Sequence, residues 1–202
     1  MPKPLFPKVF SWRSARFAVV CAILLGTAGC ATLPPPPPPP EAGFRVQGRL
    51  AIRHADEGFS SNFLWAHAPE RFAIELWGPL GQGRSRLEGG DDGVVLHAAD
   101  GAVYAEEDTQ VAVRRWLGFD VPVPALAFWI QGRSAPGARV RREERDAAGD
   151  LSRLDQLAWS LDFSEWRSEA DGRRLPGRIV ARHRDVKVTL LPKVWAFANG
   201  TP

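Results

Sequence analysis

The chain has 202 residues, of which 45% are hydrophobic, and carries 26 Lys and Arg against 23 Asp and Glu, a formal net charge of +3. Four of the basic residues lie before position 17, where there is no acidic residue; removing them leaves 22 basic against 23 acidic residues, which is close to neutral. This balance excludes an argument for nucleic-acid binding from basicity, and the length fits one domain with a targeting segment attached.

The first 29 residues are organised like the signal peptide of a bacterial lipoprotein. A basic start is followed by an apolar segment, residues 17–25, which is too short to span a bilayer. Residues 26–30 resemble a lipobox, with Thr27 where Leu is usual. The resemblance implies cleavage before Cys30 and acylation of its thiol. Ala31 stands where a retained inner-membrane lipoprotein would have Asp, which implies sorting to the outer membrane.

Cysteine usage agrees with a lipid anchor. Of the two cysteines, Cys21 lies in the predicted signal peptide, which leaves Cys30 alone in the mature chain and excludes an intramolecular disulfide or a cysteine-built metal site there. Several acyl chains on one cysteine would hold the protein stably on a membrane. The alternative is an ordinary cleaved signal with a free thiol.

Seven consecutive prolines, Pro34 to Pro40, separate the predicted anchor from the rest of the chain. Such a run adopts polyproline II and rises ~3.1 Å per residue, which gives a stalk of about 20 Å. The predicted organisation is a signal peptide at residues 1–29, the lipidated cysteine and stalk at 30–43, and a folded domain at 44–202.

The folded domain alternates between strand patterns and turn signals, as in a meandering antiparallel sheet. Its first half predicts strands at residues 46–52, 59–65, 72–77, 82–87, 94–98 and 102–105, with turns at 56–58 and 89–93. Its second half predicts strands at 140–146, 151–156, 157–163, 177–183 and 186–195. About eleven antiparallel strands should form a mainly β domain whose sheet curls around a concave side.

Residues 78–83 interrupt this pattern with three glycines, one proline and a large aliphatic residue, Leu80. Loop tips normally carry polar or small residues that face water. Leu80 therefore either folds back onto its own sheet or projects towards an apolar partner, such as a lipid surface or a groove on another protein.

Two short apolar helices are predicted between the two halves of the sheet. Asp108 or Thr109 can cap the first, which ends before Gly118, and the second extends from the prolines near residue 122 to Gly132. Both should pack against the concave side of the sheet as a lid or a plug.

The inward residues of the sheet and the second helix are predicted to line an apolar cavity suited to acyl chains. The cavity residues are Trp65, Phe72, Ile74, Leu76, Leu126, Phe128, Trp129 and Ile130. The alternative is that the tryptophans only form the core. No catalytic residue, metal ligand or cofactor site is predicted, because the chain has no GxSxG, HExxH or P-loop motif, and a lipid esterase would need a nucleophile–base pair that the sequence does not offer.

An ordered set of segments resembles the LolB family of outer-membrane lipoprotein receptors across the whole mature domain. The segments are FRVQGRLA at 44–51, NFLW at 62–65, GPLGQG at 78–83, PVPALAFWIQG at 122–132, DQLAW at 155–159, LPGRI at 175–179 and the terminal Trp195. The polyproline run departs from the family, which often has a helix at that position.

The resemblance implies an antiparallel, unclosed β-barrel of about eleven strands wrapped over short helices. It also implies a function: accepting acylated lipoproteins from the periplasmic carrier LolA and inserting them into the outer membrane, with no enzymatic activity. In the family, the apolar residue of a protruding Pro-Leu-Gly loop is implicated in membrane insertion. The corresponding loop here is Pro79, Leu80 and Gly81, and the corresponding residue is Leu80. The implied partners are a LolA-type carrier, lipoprotein cargo and outer-membrane lipid, for a monomeric, lipid-anchored, periplasm-facing protein. The alternative is a static outer-membrane lipoprotein that acts as an envelope scaffold or assembly factor.

Overall fold

The computed structural model describes residues 42–198. The predicted signal peptide, Cys30 and the polyproline stalk lie outside the described residues. The first half of the domain contains β1 (Phe44–His54), β2 (Glu57–Ala68), β3 (Arg71–Trp77), β4 (Ser85–Gly90), β5 (Gly93–His97) and β6 (Val103–Glu106). Helices α1 (Thr109–Leu117) and α2 (Val123–Trp129) follow. The second half contains β7 (Val140–Arg145), β8 (Leu151–Gln156), β9 (Trp159–Ser164), β10 (Arg167–Ser168), β11 (Arg174–Leu175), β12 (Arg178–His183) and β13 (Val186–Phe197).

Eleven of these strands form one antiparallel sheet in the order β6-β5-β4-β3-β2-β1-β13-β12-β9-β8-β7, and β10 pairs with β11 separately. Within the described part of the chain, the edge strands β6 and β7 do not pair with each other, so the barrel stays open. The chain passes from one edge to the other through α1 and α2. The prediction of an unclosed, mainly β barrel of about eleven strands around two short helices is confirmed.

One face of the sheet, here called the inner face, carries most of the core. Cross-strand pairing places Val46 opposite Trp65, and Trp65 opposite Ile74, so these side chains share a face. The same apolar cluster includes Leu154 and Ile179 from the other half of the sheet, together with residues of both helices. The helices therefore pack on the inner face, as the sequence predicts.

Capping interactions fix both ends of α1. The carboxylate of Asp108 accepts hydrogen bonds from the backbone N–H groups of Gln110 and Val111, which caps α1. Gly118 ends α1 in the left-handed conformation, at φ 81°, and donates its N–H to the carbonyl of Arg114. Helix α2 begins after Pro122 and ends at Trp129, with Ile130 as its C-cap, within three residues of the predicted end at Gly132.

Strand direction sorts the turns of the sheet into two ends. The strand-to-strand turns at residues 55–56, 78–84, 98–102, 157–158 and 184–185 lie at one end, here called the Leu80 end. The connections at residues 69–70, 91–92, 146–150 and 165–177 lie at the opposite end.

Four boundary predictions were wrong. Glu57 and Gly58 pair within β2, and Gly89 and Gly90 pair within β4, because a glycine at the end of a strand can stay in the ladder and does not have to form a turn. Residues 82–84 belong to the loop before β4 rather than to a strand. Leu157 begins no strand; it forms the β8–β9 turn with Ala158.

Candidate functional site

The eight predicted cavity residues all belong to one apolar cluster on the inner face, but they are not buried equally. Trp65, Trp129 and Ile130 are buried within it. The other five are only partly buried while packed against the cluster: Phe72, Ile74, Leu76, Leu126 and Phe128. The structure thus brings together the residues from β2, β3 and α2 on which the sequence analysis focused.

The partly buried apolar surface extends across the centre of the sheet. On β1 and β13, Leu50 pairs with Leu190 and Ile52 pairs with Val188, and all four side chains keep some exposure. Large aliphatic residues in a sealed core would be fully buried, since interiors are close-packed. The helices therefore leave part of the inner face open. We call the partly buried inner-face residues of β1, β3, β13 and α2 the trough.

The environment beside the trough favours uncharged groups. The indole Nε1 of Trp65 is buried without a hydrogen-bond partner in the described part of the chain. His67 packs beside it, with ring centroids 5.9 Å apart, and burial lowers the pKa of His67. A neutral imidazole and an unpaired indole suit a hydrocarbon surface better than a site for charged ligands.

A single buried side chain, Gln156, holds the helical segment against the sheet. Its Oε1 accepts hydrogen bonds from Trp129 Nε1 and from the backbone N–H of Ala135, each at 2.9 Å. Its Nε2 donates to the carbonyls of Ala135 and Ala138, at 2.8 and 3.0 Å. All four contacts lie at the end of β8. The rest of the helical segment is positioned by apolar packing and by a 2.6 Å ion pair between Arg115 of α1 and Glu106 at the end of β6.

The Leu80 loop is a hydrogen-bonded turn that presents its aliphatic residue to solvent. The N–H of Gly81 donates to the carbonyl of Gly78 at 3.0 Å, and the N–H of Gly78 donates to the carbonyl of Gln82 at 2.8 Å. Pro79 fixes one backbone angle of the tip, and Gly81 supplies a positive φ of 77°. The Leu80 side chain is 83% exposed, so the alternative in which it folds onto its own sheet is wrong.

Side chains on both faces of the sheet fix the base of this loop, Ser61 on the inner face and Glu75 on the outer face. Ser61 Oγ donates to the carbonyl of Trp77 at 2.9 Å. Arg84 forms a 2.7 Å ion pair with the buried carboxylate of Glu75, and its guanidinium lies 5.0 Å from the centre of the Trp77 ring. The sequence analysis did not predict this arrangement; the i, i+9 spacing of Glu75 and Arg84 across a hairpin was the available signal.

The described residues offer little else that could carry chemistry. Residues 42–198 contain no group of three or more His, Cys, Asp or Glu that could hold a metal ion. None of the helices described there is long and apolar enough to cross a membrane.

Comparison with known proteins identifies one family. The family model described as outer membrane lipoprotein LolB matches residues 42–195. The outer-membrane lipoprotein LolB of Alkalilimnicola ehrlichii is 33% identical over 199 residues, covering 92% of this chain and 99% of that protein. The protein of the same name from Stutzerimonas stutzeri is 34% identical over 153 residues, covering 76% and 73%. The crystal structure of a DUF1329 family protein from Desulfovibrio piger aligns with 79% of this chain and 87% of that one at 10% identity, and its TM-score of 0.46 is too low to bear on function.

Proposed function

The chain belongs to the LolB family of outer membrane lipoproteins, and we propose that it receives acylated lipoproteins in the trough and inserts them into the outer membrane. The observation that carries the proposal is the trough itself: large apolar side chains of β1, β3, β13 and α2 share one face and remain partly exposed. Because apolar side chains alternate along these strands on the same face, they form a continuous hydrocarbon-like surface on which acyl chains can lie.

The energetics favour a handover in which the chains stay covered. Each CH₂ group removed from water is worth ~0.8 kcal/mol, so the lipid anchor of a cargo lipoprotein does not cross the periplasm bare. Acyl chains pass from a LolA-type carrier to this protein because the trough binds them more favourably. They pass on to the bilayer because lipid is a better solvent still. Neither step needs a nucleotide, a cofactor or covalent chemistry, so the protein acts as a carrier and not as an enzyme.

The helical segment would move aside to admit the cargo. In the described state, trough residues Leu126 and Phe128 of α2 pack against the same cluster as Phe72 and Ile74 of β3. Their partial exposure means that displacing them breaks fewer contacts than opening a sealed core. The hydrogen bonds of Gln156 would keep the end of α2 attached to β8 during this movement.

The loop Pro79, Leu80 and Gly81 would contact the membrane during release. An aliphatic side chain that is 83% exposed on a hydrogen-bonded turn gains free energy by entering the acyl region of a leaflet. We place the protein at the outer membrane as a monomer, anchored through Cys30 and facing the periplasm. The polyproline stalk then separates the domain from its anchor.

A transfer assay tests this proposal directly. The acylated protein is incubated with a LolA-type carrier loaded with a labelled lipoprotein, and liposomes are added in a second step. We expect the label to leave the carrier for this protein and then to appear in the liposome fraction. A static envelope scaffold, the alternative function, would leave the label on the carrier in both steps and would contradict the proposal.

A further inference from the structure

A second exposed aliphatic residue, Leu157, lies at the tip of a hairpin turn, where a small or polar residue is usual. It forms the tip of the β8–β9 turn and its side chain is 45% exposed. Its backbone φ is 52°, and that of the next residue, Ala158, is 63°. Two consecutive left-handed residues are typical of the tight hairpin turn that Asn-Gly normally forms, and bulky side chains rarely adopt this conformation. The exposed Leu157 is thus an outlier that packing does not explain.

Leu157 lies at the same end of the sheet as Leu80. Strand β3 runs parallel to β1 and reaches the loop of Leu80, and β8 has that same direction and ends at Leu157. The neighbouring turns of this end are linked directly, since His183 Nδ1 lies 2.9 Å from the carbonyl oxygen of Ala158. Four strands, β2, β1, β13 and β12, separate the two hairpins in the sheet order, so the two leucines stand on opposite sides of the barrel mouth.

The turns at the Leu80 end carry fewer carboxylates than those at the opposite end, as expected of an end that faces a membrane. The five turns at the Leu80 end carry three carboxylates and two arginines. The four strand-to-strand connections at the opposite end carry eight carboxylates and three arginines. Anionic headgroups repel carboxylates, so a phospholipid leaflet fits the Leu80 end and not the opposite end.

We propose that Leu157 is a second membrane contact, which enters the phospholipid leaflet together with Leu80. The two contacts would orient the Leu80 end of the barrel towards the membrane surface. One contact would let the domain pivot about a single loop, whereas two contacts across the mouth define its orientation. The inference rests on the proposed function, because it takes the membrane to be the site of cargo release.

Site-specific fluorescence tests this inference on the acylated protein. An environment-sensitive fluorophore is attached to a cysteine at one position at a time, in L157C, L80C and A148C, and the protein is reconstituted in phosphatidylethanolamine–phosphatidylglycerol liposomes. Ala148 is the matched control, because it is an exposed residue of the β7–β8 turn at the opposite end. The parent protein, treated with the same reagent, reports any labelling of Cys30. Phospholipids brominated on the acyl chain serve as the quencher.

We expect the labels at positions 157 and 80 to shift to the blue and to be quenched, and the label at 148 to do neither. Quenching at 80 without quenching at 157 would overturn the second contact and leave the Leu80 proposal intact. Quenching at neither position would overturn both. Equal quenching at 148 would show that the domain has no preferred orientation, and would also overturn the inference.

The variant L157N separates membrane contact from folding. Asn tolerates the left-handed conformation better than Leu, so the melting temperature should stay the same or rise. The variant loses the contact between the Leu157 side chain and lipid, which should slow insertion of cargo about fivefold. The control A148N should insert cargo at the parent rate. An insertion rate in L157N equal to the parent's would overturn the inference.

Discussion

Trp129 of α2 donates its indole N–H to the amide oxygen of Gln156 at the end of β8, at 2.9 Å, in a site from which water is excluded. The same amide binds the backbone of Ala135 and Ala138. One side chain thus satisfies four polar groups, one at the end of α2 and three in the segment between α2 and β7. The rest of the helical segment is held by apolar contacts and by the partly exposed ion pair between Arg115 and Glu106, which break more readily than a buried hydrogen-bond network.

Replacing this amide should destabilise the fold. In Q156L, the indole N–H of Trp129 and the N–H of Ala135 lose their acceptor while staying buried, which should lower the free energy of unfolding by about 3 kcal/mol. Urea denaturation of parent and variant measures the difference. Q131L is the control, because Gln131 is only partly buried, donates to the carbonyl of Ala127 and accepts one solvent-exposed hydrogen bond from Arg133. Equal losses in the two variants would contradict the role given to Gln156.

The exposed leucine of the β3–β4 loop should matter for release and not for folding. L80E should leave the melting temperature and the carrier-to-protein transfer unchanged, and should slow insertion into liposomes about tenfold, because a carboxylate does not enter the acyl region. V194E is the matched control, since Val194 is also an exposed aliphatic residue, at 62%, but lies on β13 away from this end. Insertion by L80E at the rate of V194E would show that the loop has no membrane role.

Filling the trough should weaken cargo binding. In I74W a larger side chain occupies the space between β3 and α2, and overpacking should reduce the affinity for a triacylated lipopeptide about tenfold. Val95 is a suitable control position, because it is partly buried on the outer face of β5. Titration of both variants with a fluorescent lipopeptide measures the effect. An affinity of I74W that matches that of V95W would argue against acyl chains lying along β3.

The burial of His67 predicts the sign of one pH effect. Because burial lowers the pKa of His67 below its ordinary value of 6.5, the unfolded chain binds a proton more readily than the folded one. The contribution of this group to stability is therefore complete above pH 6.5 and is lost as the pH falls through 6.5 towards the lower folded pKa. H67F should lose less stability than the parent between about pH 8 and about pH 5 in urea unfolding. The opposite sign, or no difference, would contradict a partly buried imidazole whose pKa is lowered by burial.

Periodicity in the sequence was enough to predict the sheet and its inner face. The alternation of Phe72, Ile74 and Leu76 identified the inward side of β3, and the Gly118 signal marked the end of α1. These features are local, since each depends on residues adjacent in the chain. The sequence also placed Leu80 in a loop but left its orientation open, because a loop side chain can fold back onto its own sheet or project from it.

The features that the sequence did not reveal depend on distant partners. Gln156 looked like an ordinary polar strand residue, because its four contacts come from a segment more than seventeen residues away in the chain. The turn at Leu157 and Ala158 was missed because neither residue is a turn former. Tertiary structure imposes their positive φ through the pairing of β8 with β9.

The most direct test of the account is ¹⁹F NMR of the protein labelled with 5-fluorotryptophan, during titration with a triacylated lipopeptide. Trp65 lies on the inner face beside the trough, and Trp77 lies on the outer face of β3. We predict that the resonance of Trp65 shifts in proportion to bound lipopeptide while that of Trp77 stays in place. Saturating lipopeptide that leaves Trp65 unshifted, or shifts Trp77 alone, would contradict the proposal that acyl chains bind along the inner face.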